Sequence, residues 1–340
     1  MTSESSKPSI LVLGGLGFIG RNFITYLVEN ELASEIKVVD KVLTETAGLN
    51  TKQEEAYQKV EVLQRNLANP TIIESIFKRK DGSSYDYVFN LAAETKYSQN
   101  ERIYEERIFN LSVRNAKEAA KCRVKVFVEV STAEIYHGDR NPSKEDEKIK
   151  PWTAIAKYKH KAEEELKKIE GLNLVILRPA IVYGPGATIG IKMKFLWSKD
   201  LKINTVHVLD VSRAMWHIAE WYQANEKAGK GTLIYNLADM GNTDQEKINK
   251  LISIMFNIQT ESNEKHMRPW SELLKKNKIR NTPLSPYLDK ELLYNNSLSV
   301  DGKKIVNETG FNYEIPEVTD VKLQEIVDDF INLNLWPAKD

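Results

Sequence analysis

The chain is poor in the residues that would anchor it by covalent or metallic means. One cysteine, Cys122, in 340 residues excludes an internal disulfide and suits a reducing compartment, so the expectation is a cytoplasmic protein. The five histidines, His137, His160, His207, His217 and His266, show no ligand spacing with the cysteine and little with acids, and no metal site is expected. No apolar run approaches the roughly 20 residues of a membrane span, which argues against a membrane partner. The start, from Met1 to Ser9, is short, polar and free of arginine. It reads as neither a secretory leader nor a transit peptide, and residues 1–8 are expected to be a disordered end. The 48 basic and 48 acidic side chains cancel, and with no long basic block a nucleic-acid partner is not expected.

What is present begins with glycine in a particular place. The stretch Ile10-Leu-Val-Leu-Gly-Gly-Leu-Gly-Phe-Ile-Gly20 sets Gly14, Gly15, Gly17 and Gly20 between a short apolar strand and an amphipathic helix. Glycine there allows a tight turn, close approach of backbone N–H groups to a pyrophosphate, and close packing of helix on sheet. The helix from Phe18 to Glu29 would point the positive end of its dipole at the phosphates. Glu35-Ile-Lys-Val-Val-Asp40 then reads as a second buried strand ending in a carboxylate. Asp40 can accept both ribose hydroxyls of an adenosine and would repel a 2′-phosphate, so the expected cofactor is NAD.

Beyond Asp40, strand patterns at Val60 to Leu63, Tyr87 to Leu91, Val124 to Val130 and Leu172 to Leu177 alternate with helical ones at Pro70 to Lys80, Arg102 to Lys121 and Thr153 to Ile169. Such alternation predicts an α/β protein with a doubly wound parallel sheet of the Rossmann type. Past Arg178-Pro179 the pattern loosens into a helix from Val208 to Asn225, a strand from Thr232 to Leu237, and helices near Thr243 to Phe256 and Val321 to Leu333. The division expected is a disordered end at 1–8, an NAD-binding domain at 9–185, and a smaller substrate lobe at 186–340 interleaved with the last strand of the sheet. The chain carries no repeats or low-complexity linkers, so the lobes are not read as independent domains. The stripe Trp216, Ile218, Ala219, Trp221 and Tyr222, and the later Phe330, Leu333 and Trp336, read as helix faces packed on the sheet.

Five segments, in order, resemble the extended short-chain dehydrogenase/reductase family, the NAD-dependent epimerases and dehydratases. They are Gly14-Gly-Leu-Gly-Phe-Ile-Gly20, Asn90-Leu-Ala-Ala-Glu-Thr95, Val130-Ser-Thr-Ala-Glu-Ile-Tyr136, Leu177-Arg-Pro-Ala-Ile-Val-Tyr-Gly-Pro-Gly186 and His207-Val-Leu-Asp-Val-Ser-Arg-Ala214. Their wording is most similar to the nucleotide-sugar 4,6-dehydratase branch. The resemblance implies cofactor contacts at Gly14, Gly17, Phe18, Ile19, Gly20, Asp40, Lys41, Asn66, Leu67, Leu91, Ala92, Ala93, Lys159 and Pro179. It implies a hydride shuttle in which a tyrosine beside a lysine takes the proton of a sugar hydroxyl while a Ser or Thr steadies the oxygen. It also implies a nucleotide-sugar or similar hydroxylated substrate, and pairing as a homodimer through the helices at Arg102 to Lys121 and Thr153 to Ile169.

The chain departs from that pattern where the chemistry would sit. None of its fourteen tyrosines is followed by lysine at the fourth position. With Lys159 as the family lysine the tyrosine place holds Ile155; with Lys157 or Lys161 it holds Thr153 or Lys157. Tyr158 with Lys161 is the only local substitute, and i,i+3 points the charge roughly 100° away from where i,i+4 would put it. Thr132 keeps the hydroxyl position and Glu134 one acid, but Ala133 stands where a dehydratase carries aspartate. Asn66 replaces an aspartate at the adenine, and Asn110 matches an asparagine behind the active site. Only Ala187 to Ile203 bridge a stretch that usually carries a longer excursion closing over the nucleotide. Two readings follow. The first is an NAD-dependent oxidoreductase, epimerase or dehydratase with Thr132, Glu134, Lys159 and Tyr158 in the site. The second is a catalytically silent NAD(H)-binding scaffold or sensor subunit of a protein complex.

Overall fold

The structure, a computed structural model, describes residues 7–138, 141–187, 198–225, 232–256, 267–280, 282–284, 289–293 and 296–337. Most of the expected disordered end, and residues 188–197 of the short stretch after Ala187, lie outside the described residues.

The first half alternates as the periodicity requires: β1 (Ser9–Leu13), α1 (Phe18–Glu29), β2 (Glu35–Asp40), α2 (Thr51–Tyr57), β3 (Glu61–Gln64), α3 (Ile73–Phe77), β4 (Tyr87–Asn90), α4 (Glu101–Tyr104), α5 (Leu111–Lys121), β5 (Val126–Val130), α6 (Ala154–Leu166) and β6 (Leu174–Pro179). There follow β7 (Ile181–Tyr183), β8 (Thr205–His207), α7 (Val208–Ala224), β9 (Leu233–Leu237), α8 (Gln245–Phe256), α9 (Met267–Lys276), α10 (Lys303–Thr309) and α11 (Asp320–Asn332). Seven strands form one parallel sheet in the order β3-β2-β1-β4-β5-β6-β9. The β7 and β8 strands make a separate parallel pair.

The inner strands β1, β4, β5 and β6 are buried along their whole length and largely apolar without alternation, because both faces are covered. Along β1, Ile10 and Val12 join one core with Phe23, Ile24 and Leu27 of α1 and Met215 and Ile218 of α7. Leu11 and Leu13 join the opposite core with Ile76 and Phe77 of α3, Ala116 and Ala119 of α5 and Leu166 of α6. The sequence of strands reverses direction between β1 and β4. In a sheet of this kind, the carboxyl ends of the strands at that reversal frame a crevice for ligands.

Three elements differ from expectation. The helix expected over Arg102 to Lys121 is α4 and α5 separated by a π-helical stretch, Glu105–Asn110, and Asn110 turns its amide to Glu106 at 2.8 Å. The α3 helix stops at Phe77, because Lys78 turns extended and bridges Ser84. Phe330 and Trp336 do not lie on the sheet. With α1, α7, α3, α5 and α6 already covering both faces, they pack with Tyr183, Leu323 and Ile326, and the Trp336 ring sits 5.4 Å from that of Trp270.

Among the described residues no helix is long and apolar enough to cross a membrane, and no group of three or more His, Cys, Asp or Glu could hold a metal ion.

Candidate functional site

The crevice is lined first by the turn between β1 and α1. Gly14 takes φ +78°, and a Cβ there would lie 2.6 Å from the Ala92 backbone nitrogen on the loop leaving β4. At Gly20 a Cβ would stand 2.4 Å from the Gly15 carbonyl oxygen, so the helix can close on its own turn only with glycine. Gly17, exposed, is the N-cap of α1 and gives its first N–H groups no side-chain partner. A helix end left open in this way suits an anion. Phe18 and Ile19 are half-buried beside it.

Asp40 ends β2 with its carboxylate turned back toward the glycine turn. Oδ2 accepts the Leu16 N–H and Oδ1 the Val42 N–H, both at 3.0 Å. Each oxygen keeps a lone pair for a further donor. Lys41 beside it is exposed. Asn66 is exposed and spends its Oδ1 on the Ala68 N–H at 3.1 Å, while Leu67 is buried. Leu91, Ala92 and Ala93 leave β4 half-buried, and Pro179 ends β6 buried. These groups fit a dinucleotide: an open helix terminus for phosphate, a floor without side chains, and a carboxylate with spare acceptors.

Next to the glycine turn, across β4, lies the end of β5. Thr132 caps the 3₁₀ turn Ala133–Ile135, its Oγ1 accepting the Glu134 N–H at 3.2 Å. The Glu134 carboxylate accepts hydrogen bonds from the Thr153 hydroxyl at 2.8 Å and the Tyr97 hydroxyl at 3.1 Å. Burial pushes this carboxyl up, and the two hydroxyls pull it back. Lys159 reaches the same strand end, donating from Nζ to the Val130 carbonyl at 2.6 Å. Burial draws its ammonium down, opposed by Glu129, Glu163 and Glu134. Beneath it Glu129 is wholly buried, held by Asn90 Nδ2 at 2.7 Å and Ser112 Oγ at 2.9 Å, and burial raises its carboxyl to about 7.

Of the four candidate catalytic residues, then, Thr132, Glu134 and Lys159 come together and Tyr158 does not. Its ring packs with Tyr104, Ile108 and Ile155, 5.9 Å from the Tyr104 ring, with the Lys157 and Lys161 ammonium groups over it at 5.5 and 5.7 Å. One residue of helix turns a side chain by about 100°. If Lys159 faces β5, its neighbour Tyr158 must face elsewhere. Lys157 and Lys161 follow the same rule and pair outward with Glu101 and Glu105. Asn110 is occupied by Glu106.

Two residues at this place carry no signal in the sequence. Tyr97 lies seven residues past the end of β4 without a lysine partner. Glu291, from the 3₁₀ turn Lys290–Leu293, accepts the Ser98 N–H at 2.9 Å and the Ala154 N–H at 2.8 Å.

The comparisons agree with this architecture. The family model described as "NAD dependent epimerase/dehydratase family" matches residues 10–238. A UDP-glucose 4-epimerase of Vibrio cholerae is 25% identical over 200 residues; the match spans only about half of each protein, 54% of this chain and 55% of the relative. Among solved structures, the UDP-glucuronic acid 4-epimerase of Bacillus cereus in complex with NAD superposes with a TM-score of 0.73 at 17% identity, covering 96% of this chain and 99% of that one. The UDP-glucose 4-epimerase of Thermotoga maritima with UDP-glucose gives 0.70 at 21% identity, over 95% and 98%.

Proposed function

The chain belongs to the NAD dependent epimerase/dehydratase family, and on that premise we propose that it binds NAD in the crevice beside Gly14 and oxidises a hydroxyl of a nucleotide sugar or a similar substrate. The observation that carries this reading is the gathering of Thr132, Glu134 and Lys159 at the end of β5, one strand removed from the glycine turn. The relatives that are 4-epimerases of UDP-sugars support epimerase-type chemistry. Ala133, where a dehydratase carries an acid, argues against elimination of water.

Gly14, Gly17 and Gly20 give the pyrophosphate its floor, the start of α1 its counter-dipole, Asp40 its ribose partner, and Leu91 to Ala93 and Pro179 the opposite wall. Bound NAD supplies a hydride acceptor. Thr132 then steadies the substrate oxygen, and the Lys159 ammonium lends positive potential to the same spot. Asp40 sets cofactor choice by charge. Asp40→Asn is expected to raise affinity for NADP relative to NAD by about tenfold, roughly 1.4 kcal/mol, as read by calorimetric titration of both dinucleotides; an unchanged ratio would remove Asp40 from that role.

A second reading, an NAD-holding scaffold without turnover, is favoured by Ile155. Where the family tyrosine would stand, its side chain is 7% exposed and packed with Tyr104, Ile108 and Tyr158. Losing a positioned general base costs on the order of 10² to 10⁴ in rate. The decisive measurement is release and identification of nucleotide from the purified protein, then hydride transfer with a panel of nucleotide sugars. Transfer that Thr132→Val abolishes supports the enzyme. Bound NAD that no substrate reduces, with Ile155→Tyr introducing turnover, supports the scaffold. The larger ring in that packed site is expected to cost about 1–3 kcal/mol of stability, visible in the melting curve of Ile155→Tyr.

A further inference from the structure

The loop leaving β4 is turned by its own carboxylate. Glu94 accepts the Thr95 and Lys96 N–H groups at 3.2 Å each and the Arg107 guanidinium at 2.9 Å. That turn brings Tyr97 back across the crevice, where its hydroxyl meets Glu134 Oε1 at 3.1 Å. On the other side Thr153 serves twice. Its Oγ1 accepts the Ala156 N–H at 3.1 Å as the cap of α6, and donates to Glu134 Oε2 at 2.8 Å.

The residue after each of these donors is held by one more carboxylate. Glu291 takes the Ser98 N–H on one oxygen and the Ala154 N–H on the other. A residue far along the chain thus fixes the separation of the phenol and the threonine hydroxyl that grip Glu134. The grip still leaves each Glu134 oxygen one lone pair, and Glu134, like Thr132, is only half-buried.

We propose that Glu134 is the group that takes and returns the proton of the substrate hydroxyl, with Tyr97 as the positioning residue that holds its carboxylate ready. The assignment rests on the oxidoreductase reading above and gives it the acid–base partner that Ile155 cannot be. In the oxidising direction the hydroxyl O–H bond breaks and its proton passes to Glu134. The electron pair left on oxygen becomes the second bond of the carbonyl, and the hydride leaving carbon is taken by the NAD already named. The return step runs in reverse, with protonated Glu134 as the acid.

The groups facing the pair decide which member is the base. Burial, the Glu134 charge, Glu291 and Asp289 all push the Tyr97 phenol up, so it stays protonated and donates. Glu134 is raised by burial and by Glu291, and lowered by Thr153, Tyr97 and Lys159. Its ionised form, the base, therefore fills as pH rises through a midpoint above the ordinary carboxylate value. Removing the phenol hydroxyl removes a donor to that ionised form, so the midpoint moves higher still.

The test uses the full chain loaded with NAD. The side-chain carboxyl carbon of Glu134 is followed by carbon-13 NMR against pH, identified by its disappearance in Glu134→Gln, and single-turnover hydride transfer is measured across the same range. In Tyr97→Phe the midpoint is expected to rise by about one unit, with the acidic limb of transfer following it and the rate recovering at high pH. A residue that merely packs would show no such recovery. Glu134→Gln is expected to lose on the order of 10² to 10⁴ in transfer rate. An unmoved midpoint in Tyr97→Phe, or transfer in Glu134→Gln within about threefold of the parent, overturns the assignment alone. A parent protein that oxidises nothing while the carboxyl titrates normally overturns the oxidoreductase reading as well, which separates the two failures.

Discussion

Gly14→Val is expected to lower NAD affinity by at least ~100-fold, about 2.7 kcal/mol. Two causes add. Gly14 lies at φ +78°, a region that costs an L-residue about 1–2 kcal/mol and is a true outlier for a β-branched one. The new Cβ would also stand 2.6 Å from the Ala92 nitrogen and 2.7 Å from its Cα. Both are backbone atoms, so no rotamer change relieves the overlap and the Leu91 to Ala93 wall must move. That wall and the glycine turn are the two sides of the crevice, and a displacement of either spoils the close approach of N–H groups to phosphate. Gly48→Ala separates strain from geometry. Its φ is +64°, and nothing lies within 4 Å of a Cβ there. It should cost stability and leave affinity within about threefold, judged against Gly14→Val by calorimetry alongside melting curves. Equal affinity for parent and Gly14→Val would remove the turn from the cofactor site.

The second large effect concerns the pair that holds β6 to α6 behind the site. Arg178, 2% exposed, grips Glu163 through Nη2 at 2.5 Å and Nε at 3.2 Å, and Glu163 is fully buried. Its Nη1 donates to the Tyr136 hydroxyl, which in turn donates a hydrogen bond to Asn236 Oδ1. Glu163→Gln leaves a guanidinium in the core without its counter-charge, and is expected to cost about 3–5 kcal/mol in denaturant unfolding. Replacing both partners with apolar residues of similar volume should recover most of that loss, since the charge that needs company is gone. Loss of less than about 1 kcal/mol in Glu163→Gln would mean that the pair is not what holds the two elements.

The same pair fixes a pH window. Burial alone would raise the Glu163 carboxyl, but the His160 ring 3.9 Å away and the hydrogen-bonded, oppositely charged Arg178 guanidinium overrule it and hold it at about 2 against an ordinary 4.5. A carboxyl depressed on folding contributes stability that is complete above its unfolded value and is lost as pH falls toward the folded one. The contribution should therefore be present at neutrality and fade between about 4.5 and 2. Glu163→Gln should flatten that part of the stability profile.

Much of the geometry of the crevice beside the glycine turn was legible because its determinants are local. Gly14 to Gly20 and Asp40 are tied by one turn and one strand, and the spacing of glycines encodes the closeness of Gly20 to Gly15. Thr132 and Glu134 were legible for the same reason, as neighbours on the short turn that ends β5. The choice among Lys157, Lys159 and Lys161 was half legible. Helical geometry says that the three cannot all face the strand, since Lys157 and Lys161 share one face and Lys159 points to the other, and the packing of α6 decides that Lys159 is the one that does. Tyr97 and Glu291 were not legible at all. A tyrosine is read as an acid–base candidate when a lysine follows at helical spacing, and the partners of Tyr97 stand 37 residues on, at Glu134.

By itself the sequence determined the alternation that makes a doubly wound parallel sheet, the glycine turn, and the acid at the end of β2. These follow from periodicity and backbone sterics, which act over a few residues. It also determined that no tyrosine stands four residues before a lysine. Tertiary structure alone decided what occupies the space that absence leaves. It buried Ile155 among Tyr104, Ile108 and Tyr158, and sent Tyr158 away with them. It brought a phenol from the loop after β4 and a carboxylate from the Lys290–Leu293 turn to the two sides of Glu134's grip. Those contacts join chain segments up to 193 residues apart. No local pattern encodes such a meeting, because it is the sheet order that brings their strands and loops to one edge of the crevice.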